Sequence, residues 1–169
     1  MSALSGLKPA SLWKYFEDIC QIPHCSKEEK EIAAFLMSLA EKTGHTARQD
    51  KVGNIVIEVP ASPGKENSPV VVLQGHMDMV CEKNSDTKHD FSKDPVKPVI
   101  NGDWVTADGT TLGADNGIGM ATALSFLEDK ETVHGPLELL FTVDEETGLN
   151  GAMALEPDFL KGRILLNLD

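Results

Sequence analysis

An α/β fold, built on a mixed, largely parallel sheet flanked by helices, is predicted by three features of the sequence. Residues 69–74, 137–143 and 163–168 are short apolar runs, rich in valine, isoleucine and leucine, of the kind found in strands buried on both faces. Residues 9–21 and 32–39 carry their apolar side chains at helical spacing instead, and residues 118–127 are dense enough in apolar residues to read as a mostly buried helix. Each apolar run also ends on ionisable residues: His76 and Asp78 after the first, Asp144, Glu145 and Glu146 after the second, Asp169 after the third. Open α/β sheets place their sites at such carboxyl ends.

With 169 residues, 41% of them hydrophobic and 25% charged, the chain is long enough for one domain with a real core. Its formal charge of -12 argues against nucleic acid or an anionic membrane as partner, since both need a basic face. No apolar run approaches the roughly 20 residues that span a bilayer. The first 14 residues lack the charged start and apolar middle of a signal peptide, so a cytoplasmic location is expected. Cys20, Cys25 and Cys81 show no C-x-x-C spacing, and all three read as ordinary reduced thiols.

In order along the chain, Leu12, Tyr15, Phe16 and Ile19 line one face of a first helix that Pro23 stops. Ser26 and Glu29 form a capping-box pattern ahead of a second helix, whose apolar face carries Ile32, Phe35, Leu36 and Leu39 and which Gly44 ends. Residues 45–50 and 55–59 read as a hairpin turning at Val52, Gly53 and Asn54. Residues 61–68 are a polar loop, and 69–74 the first buried-type strand. Residues 82–97 form a long polar excursion, and 99–107 another hairpin turning at Gly102 and Asp103. His24, His45 and His89 lie in connections and read as surface or turn residues. A short helix is expected after Gly151.

The whole is organised around residues 110–120, where Asp115 sits in a turn punctuated by Gly113, Gly117 and Gly119 at the head of an apolar helix. Singly, each acid has an ordinary explanation: Asp78 as a turn acid, Asp115 as a helix cap, Glu145 and Glu146 as a solvated pair. Collectively they do not. If the strands share a sheet, one histidine and at least four carboxylates converge on one edge. Two like charges near 4 Å repel by about 4 kcal/mol at an effective dielectric of about 20, so the cluster calls for a cation. One imidazole with several carboxylates suits zinc, with manganese or cobalt fitting the same set, and the lack of cysteine points to a catalytic site. More than three carboxylates exceed the needs of one zinc, and two metals about 3.5 to 4 Å apart would use them.

His76-Met77-Asp78-Met79-Val80, Thr111 to Gly117, Glu145-Glu146-Thr147-Gly148 and Asn167-Leu168-Asp169, in this order, resemble the cocatalytic-zinc aminopeptidase and carboxypeptidase superfamily. The loop from Lys83 to Phe91, with Asn116 after Asp115, narrows the resemblance to the cytosolic non-specific dipeptidases, or aminoacyl-histidine dipeptidases. It implies a zinc-exopeptidase-like catalytic domain with two zinc ions per site. His76 would bind one metal, Asp115 bridge both, Glu146 bind the other and Asp169 complete the first. Asp78 would orient His76. Glu145 would be the general base for a metal-activated water that attacks the peptide carbonyl. The resemblance also implies a cis peptide bond between Asp115 and Asn116.

The function implied is hydrolysis of dipeptides, Xaa-His among a broad range, by a protein that forms a homodimer. The family's final histidine ligand and its lid and dimerisation domain have no counterpart here. Residues 1–169 are therefore expected to be the N-terminal part of the catalytic domain. Two alternatives remain: a tripeptidase or amide-cleaving deacylase of the same superfamily, and an inactive metal-binding fragment.

Overall fold

The computed structural model describes residues 3–169. Its main sheet runs in the order β1 (Thr46–Gln49), β2 (Ile55–Val59), β6 (Leu137–Thr142), β3 (Val71–His76), β7 (Ile164–Asn167). β1 and β2 form the expected hairpin, and β2 is antiparallel to β6. β3 lies parallel to both β6 and β7, so this half of the sheet points three carboxyl ends the same way. A separate hairpin pairs β4 (Pro98–Asn101) with β5 (Trp104–Ala107).

Alternation along the strands separates two faces of the sheet. Ile55, Ile57, Leu73, Leu139 and Phe141 join the large core, where α1 (Ala10–Cys20) contributes Tyr15, Phe16 and Ile19. α2 (Lys30–Lys42) adds Ile32 and Leu36, and α3 (Ala114–Ser125) adds Met120 and Leu124. The other face is thin: Val56, Val72 and Leu140 pack against Phe159. A short α4 (Asn150–Met153) follows β6, as expected after the second strand. No helix among the described residues is long and apolar enough to cross a membrane.

Four expectations are corrected. The Ser26–Glu29 capping box does not form: the Ser26 hydroxyl donates to Asp78 (2.8 Å), while Glu29 accepts from the Lys27 and Asp144 amides (2.9 Å each). Tertiary partners outcompete the helix end for both side chains. Cys25 and Cys81 are not free thiols but a disulfide, with Cα atoms 5.7 Å apart. Their 56-residue separation hid the pairing. The two segments run side by side in space, with the Met79 amide donating to the His24 carbonyl (3.0 Å) and a parallel bridge between Cys25 and Met79. His24 is buried rather than at the surface, because that bridging segment covers it, and burial lowers its pKa. Finally, β7 is not enclosed. It is the outermost strand, and Ile164, Leu165 and Leu166 each remain about half exposed.

Candidate metal centre

The turn that carries Asp115 begins at Gly113, whose φ of 70° is left-handed and open to glycine at little cost. Asp115 and Asn116 stand outside helical geometry (φ -83°, ψ 110° and φ -107°, ψ 30°), and the peptide bond between them is cis, as the resemblance implies. Asp115 is thereby held out toward the strand ends while the chain continues into α3. Asn116 is buried beneath it and donates to the Leu168 carbonyl (3.2 Å) and to Asp169 Oδ1 (3.0 Å). Its amide lies directly over Gly75 and Gly119, where a Cβ at either position would fall well inside van der Waals contact with Asn116 Oδ1.

His76 ends β3 and is buried. Its Nδ1 faces the Asp78 carbonyl (2.9 Å) and Asp78 Oδ1 (3.3 Å). With its proton there, the ring presents Nε2 to the remaining acids. Asp115 Oδ1 lies 2.9 Å from Nε2, Asp169 Oδ1 3.8 Å and Glu145 Oε2 3.9 Å. One ligand atom each from His76, Asp115 and Glu146 also lie within 4.8 Å of one another. All four residues expected to hold metal therefore meet at the carboxyl end of the parallel strands, and both expected supporting acids are beside them.

Asp78 is the joint of this arrangement. It is buried, and it accepts from Ser26 Oγ (2.8 Å), the Glu145 amide (2.9 Å) and the Glu146 amide (3.2 Å) as well as facing His76. Burial alone would raise its pKa, but these donors, the His76 imidazole first, hold it at about 2. Burial likewise pushes His76 down, and hydrogen bonds to Asp78 and Asp115 overcome it and carry the imidazole up to about 9. Glu146 is raised, by burial first and then by the charge of Asp115. Asp144, the first of the acids after β6, lies outside the group formed by His76, Asp115 and Glu146, and its ligand atom and those of Glu29 and Asp78 fall within 4.8 Å of one another. It accepts from Thr147 Oγ1 (2.7 Å) and Asn150 Nδ2 (2.8 Å) and closes its own turn.

The donor set fits a divalent cation. Among the described residues, every recorded ion pair of Asp78, Asp115, Glu145 and Asp169 is with His76, and none is with lysine or arginine. One imidazole stands against five carboxylates, with hard oxygen donors and no thiolate, as in catalytic zinc sites. Ser26 was missed in the sequence because its pattern matched a helix cap. Asn116 was visible there only as the residue following Asp115. Nothing in a linear pattern says that its side chain reaches Asp169.

Comparison with known proteins places this geometry in context. Residues 72–165 match the profile of Peptidase family M20/M25/M40. Over all 169 residues the chain is 53% identical to the cytosol non-specific dipeptidase of Escherichia coli, and it spans 35% of that protein's length. The aminoacylhistidine dipeptidase structure from Vibrio alginolyticus superposes with a TM-score of 0.94 at 55% identity, covering 97% of this chain and 34% of that one. A tripeptidase structure from Staphylococcus aureus gives 0.76 at 25% identity, covering 94% and 43%.

Proposed function

The chain belongs to the peptidase family M20/M25/M40, and from that premise we propose that the complete protein is a cytoplasmic dipeptidase that uses two divalent metal ions, zinc by preference. The observation that carries the reading is the surrounding of His76 Nε2 by Asp115, Asp169 and Glu145 within 3.9 Å, with Glu146 in the same cluster and no lysine or arginine paired there. The names of the Escherichia coli and Vibrio relatives supply the substrate class, and the word cytosol in one of them supplies the compartment.

His76, Asp115, Glu146 and Asp169 would hold the ions. The bound pair supplies positive charge that polarises a peptide carbonyl and makes a water more acidic. Asp78 fixes the tautomer and tilt of His76, as carboxylate partners of ligating imidazoles do. Glu145, tied through its amide to Asp78, takes a proton from the attacking water and returns it to the departing amine. Asn116 steers the Asp169 carboxylate by its amide hydrogen bond.

The test is Glu145→Gln in the complete protein. Dipeptide turnover should fall by about 10²-fold or more, the lower end for a lost general base, while the zinc content of the purified protein stays at wild-type level. Undiminished turnover would remove Glu145 from the role. Cleavage of tripeptides is the second reading, favoured by the likeness to the Staphylococcus tripeptidase. A panel of di- and tripeptides sharing an N-terminal residue separates the two through kcat/KM.

A further inference from the structure

The Cys25–Cys81 disulfide sits on the backbone that supports the metal centre. Cys25 immediately precedes Ser26, whose hydroxyl holds Asp78 Oδ2 at 2.8 Å and whose amide donates to the Met79 carbonyl at 3.4 Å. Cys81 follows Val80, whose carbonyl accepts from Thr111 Oγ1 at 2.7 Å at the start of the Asp115 stretch. The bond thus ties the loop after α1 to the segment that runs from His76 through Asp78 toward Asp115. Both cysteines are partly exposed, unlike Cys20, which is buried, unpaired and pushed up to about 12 by that burial. A partly exposed disulfide is open to thiolate attack, whereas a buried, neutral thiol is inert. In a compartment kept reduced, bonds of this kind are usually transient and redox-sensing rather than permanent staples.

We propose that Cys25–Cys81 is a thiol–disulfide exchange site through which a dithiol reductant loosens the metal centre, with Ser26 as the positioning residue that transmits the change. A thiolate of the reductant attacks one cysteine sulfur, the S–S bond breaks, and the displaced cysteine thiolate takes up a proton. The second thiol of the reductant then attacks the mixed disulfide, freeing the other cysteine as a thiol. The reductant leaves as its own disulfide, having passed two electrons and two protons to the pair. With the bond open, the Cys25–Ser26 loop is held to the Asp78 segment only by hydrogen bonds, those of the Ser26 and Met79 amides and of the Ser26 hydroxyl. The hydroxyl then fixes the Asp78 carboxylate less firmly, and His76 loses part of its orientation.

The proposal rests on the metal reading above, and zinc affinity of the intact protein tests both while keeping them apart. Protein purified in air is divided, one half reduced with a phosphine and desalted, and each half is labelled under native conditions with a thiol reagent and titrated with zinc against a chromophoric chelator. The proposal expects no label in the oxidised half and two labels in the reduced half, with zinc affinity about tenfold lower after reduction, the smaller loss seen when a supporting group is removed. Ser26→Ala should reproduce the loss with the bond intact, and Ser26→Thr, which keeps the hydroxyl, should restore affinity. The Cys25→Ser, Cys81→Ser double variant should bind as the reduced protein does and ignore the phosphine.

Two labels before reduction, or equal zinc affinity in both halves, overturns the exchange site and leaves the metal centre standing. Failure to bind zinc in either half overturns the metal reading, and the exchange site with it.

Discussion

The two ends of the sheet handle crowded carboxylates in opposite ways. At the amino end of β6, Glu138 is almost wholly buried on the thin face, yet it is fully answered from within the chain. Arg48 pairs with it at 2.9 Å, and the Lys161 and Gly162 amides donate at 2.9 and 2.8 Å. Glu58 beside it pairs with Arg48 and with Lys161 (2.6 Å). At the carboxyl end of the parallel strands, five carboxylates share a single histidine. The first cluster is a closed account of charge that holds β1, β2, β6 and the approach to β7 together. The second is left open, and an open cluster is what a site for an external cation looks like. What separates Glu138 and Glu58 from the acids of the second cluster is therefore the supply of guanidinium and ammonium groups around them.

The comparison breaks most visibly at Arg48. Arg48→Ala strands Glu138 without its countercharge, and removal of one partner of a buried pair costs about 3 to 5 kcal/mol. The low end is expected here because two backbone amides remain on Glu138. Chemical unfolding should show the loss, with zinc binding of the surviving folded fraction unchanged. Asp115→Asn is the converse. It should lower zinc affinity by at least the roughly hundredfold that bounds supporting groups, while the metal-free protein unfolds at nearly the same denaturant concentration, because the repulsion relieved among the acids is offset by the lost pairing with His76.

Gly75→Ala sharpens the contrast between ligand and support. The new methyl displaces the Asn116 amide and through it the Asp169 carboxylate. Zinc affinity should drop by about tenfold without change to any ligating residue, as read by isothermal titration. The smallest effect belongs to Glu58. Its hydrogen bond and charge pairing with Lys161, helped by Arg48 and opposed by burial, hold its carboxyl below the usual range. A depressed folded value means that this stabilisation is present above the unfolded value, about 4.3, and is lost as pH falls through the folded one. Because Lys161 is 62% exposed, Lys161→Met should cost only about 0.2 to 1 kcal/mol at neutral pH. That gap should close on acidification, a trend that unfolding curves at stepped pH will show.

His76, Glu146 and Asp169 were legible in the sequence because each lies just past an apolar run, and Asp115 because it sits in a glycine-punctuated turn at the head of an apolar helix. His76 after Val70 to Leu73 and Glu146 after Leu137 to Val143 needed nothing more than that, with the family resemblance to assign their roles. The closed cluster was not legible. Glu138 lies inside a run otherwise read as wholly apolar, and its partner Arg48 is 90 residues away. The disulfide and the Ser26 bond escaped for the same reason, since both depend on which loops lie side by side.

Asp78 receives hydrogen bonds from the loop after α1 and from two successive amides after β6, and it faces the imidazole at the end of β3. The imidazole proposed to hold the ion and the backbone that carries the proposed proton acceptor are thus yoked to one pivot. Any displacement of that pivot drags both together, so drift in this corner of the molecule leaves their mutual spacing intact. The same yoke makes Asp78 itself a poor place to dissect affinity from turnover, because no replacement there can alter one function and spare the other.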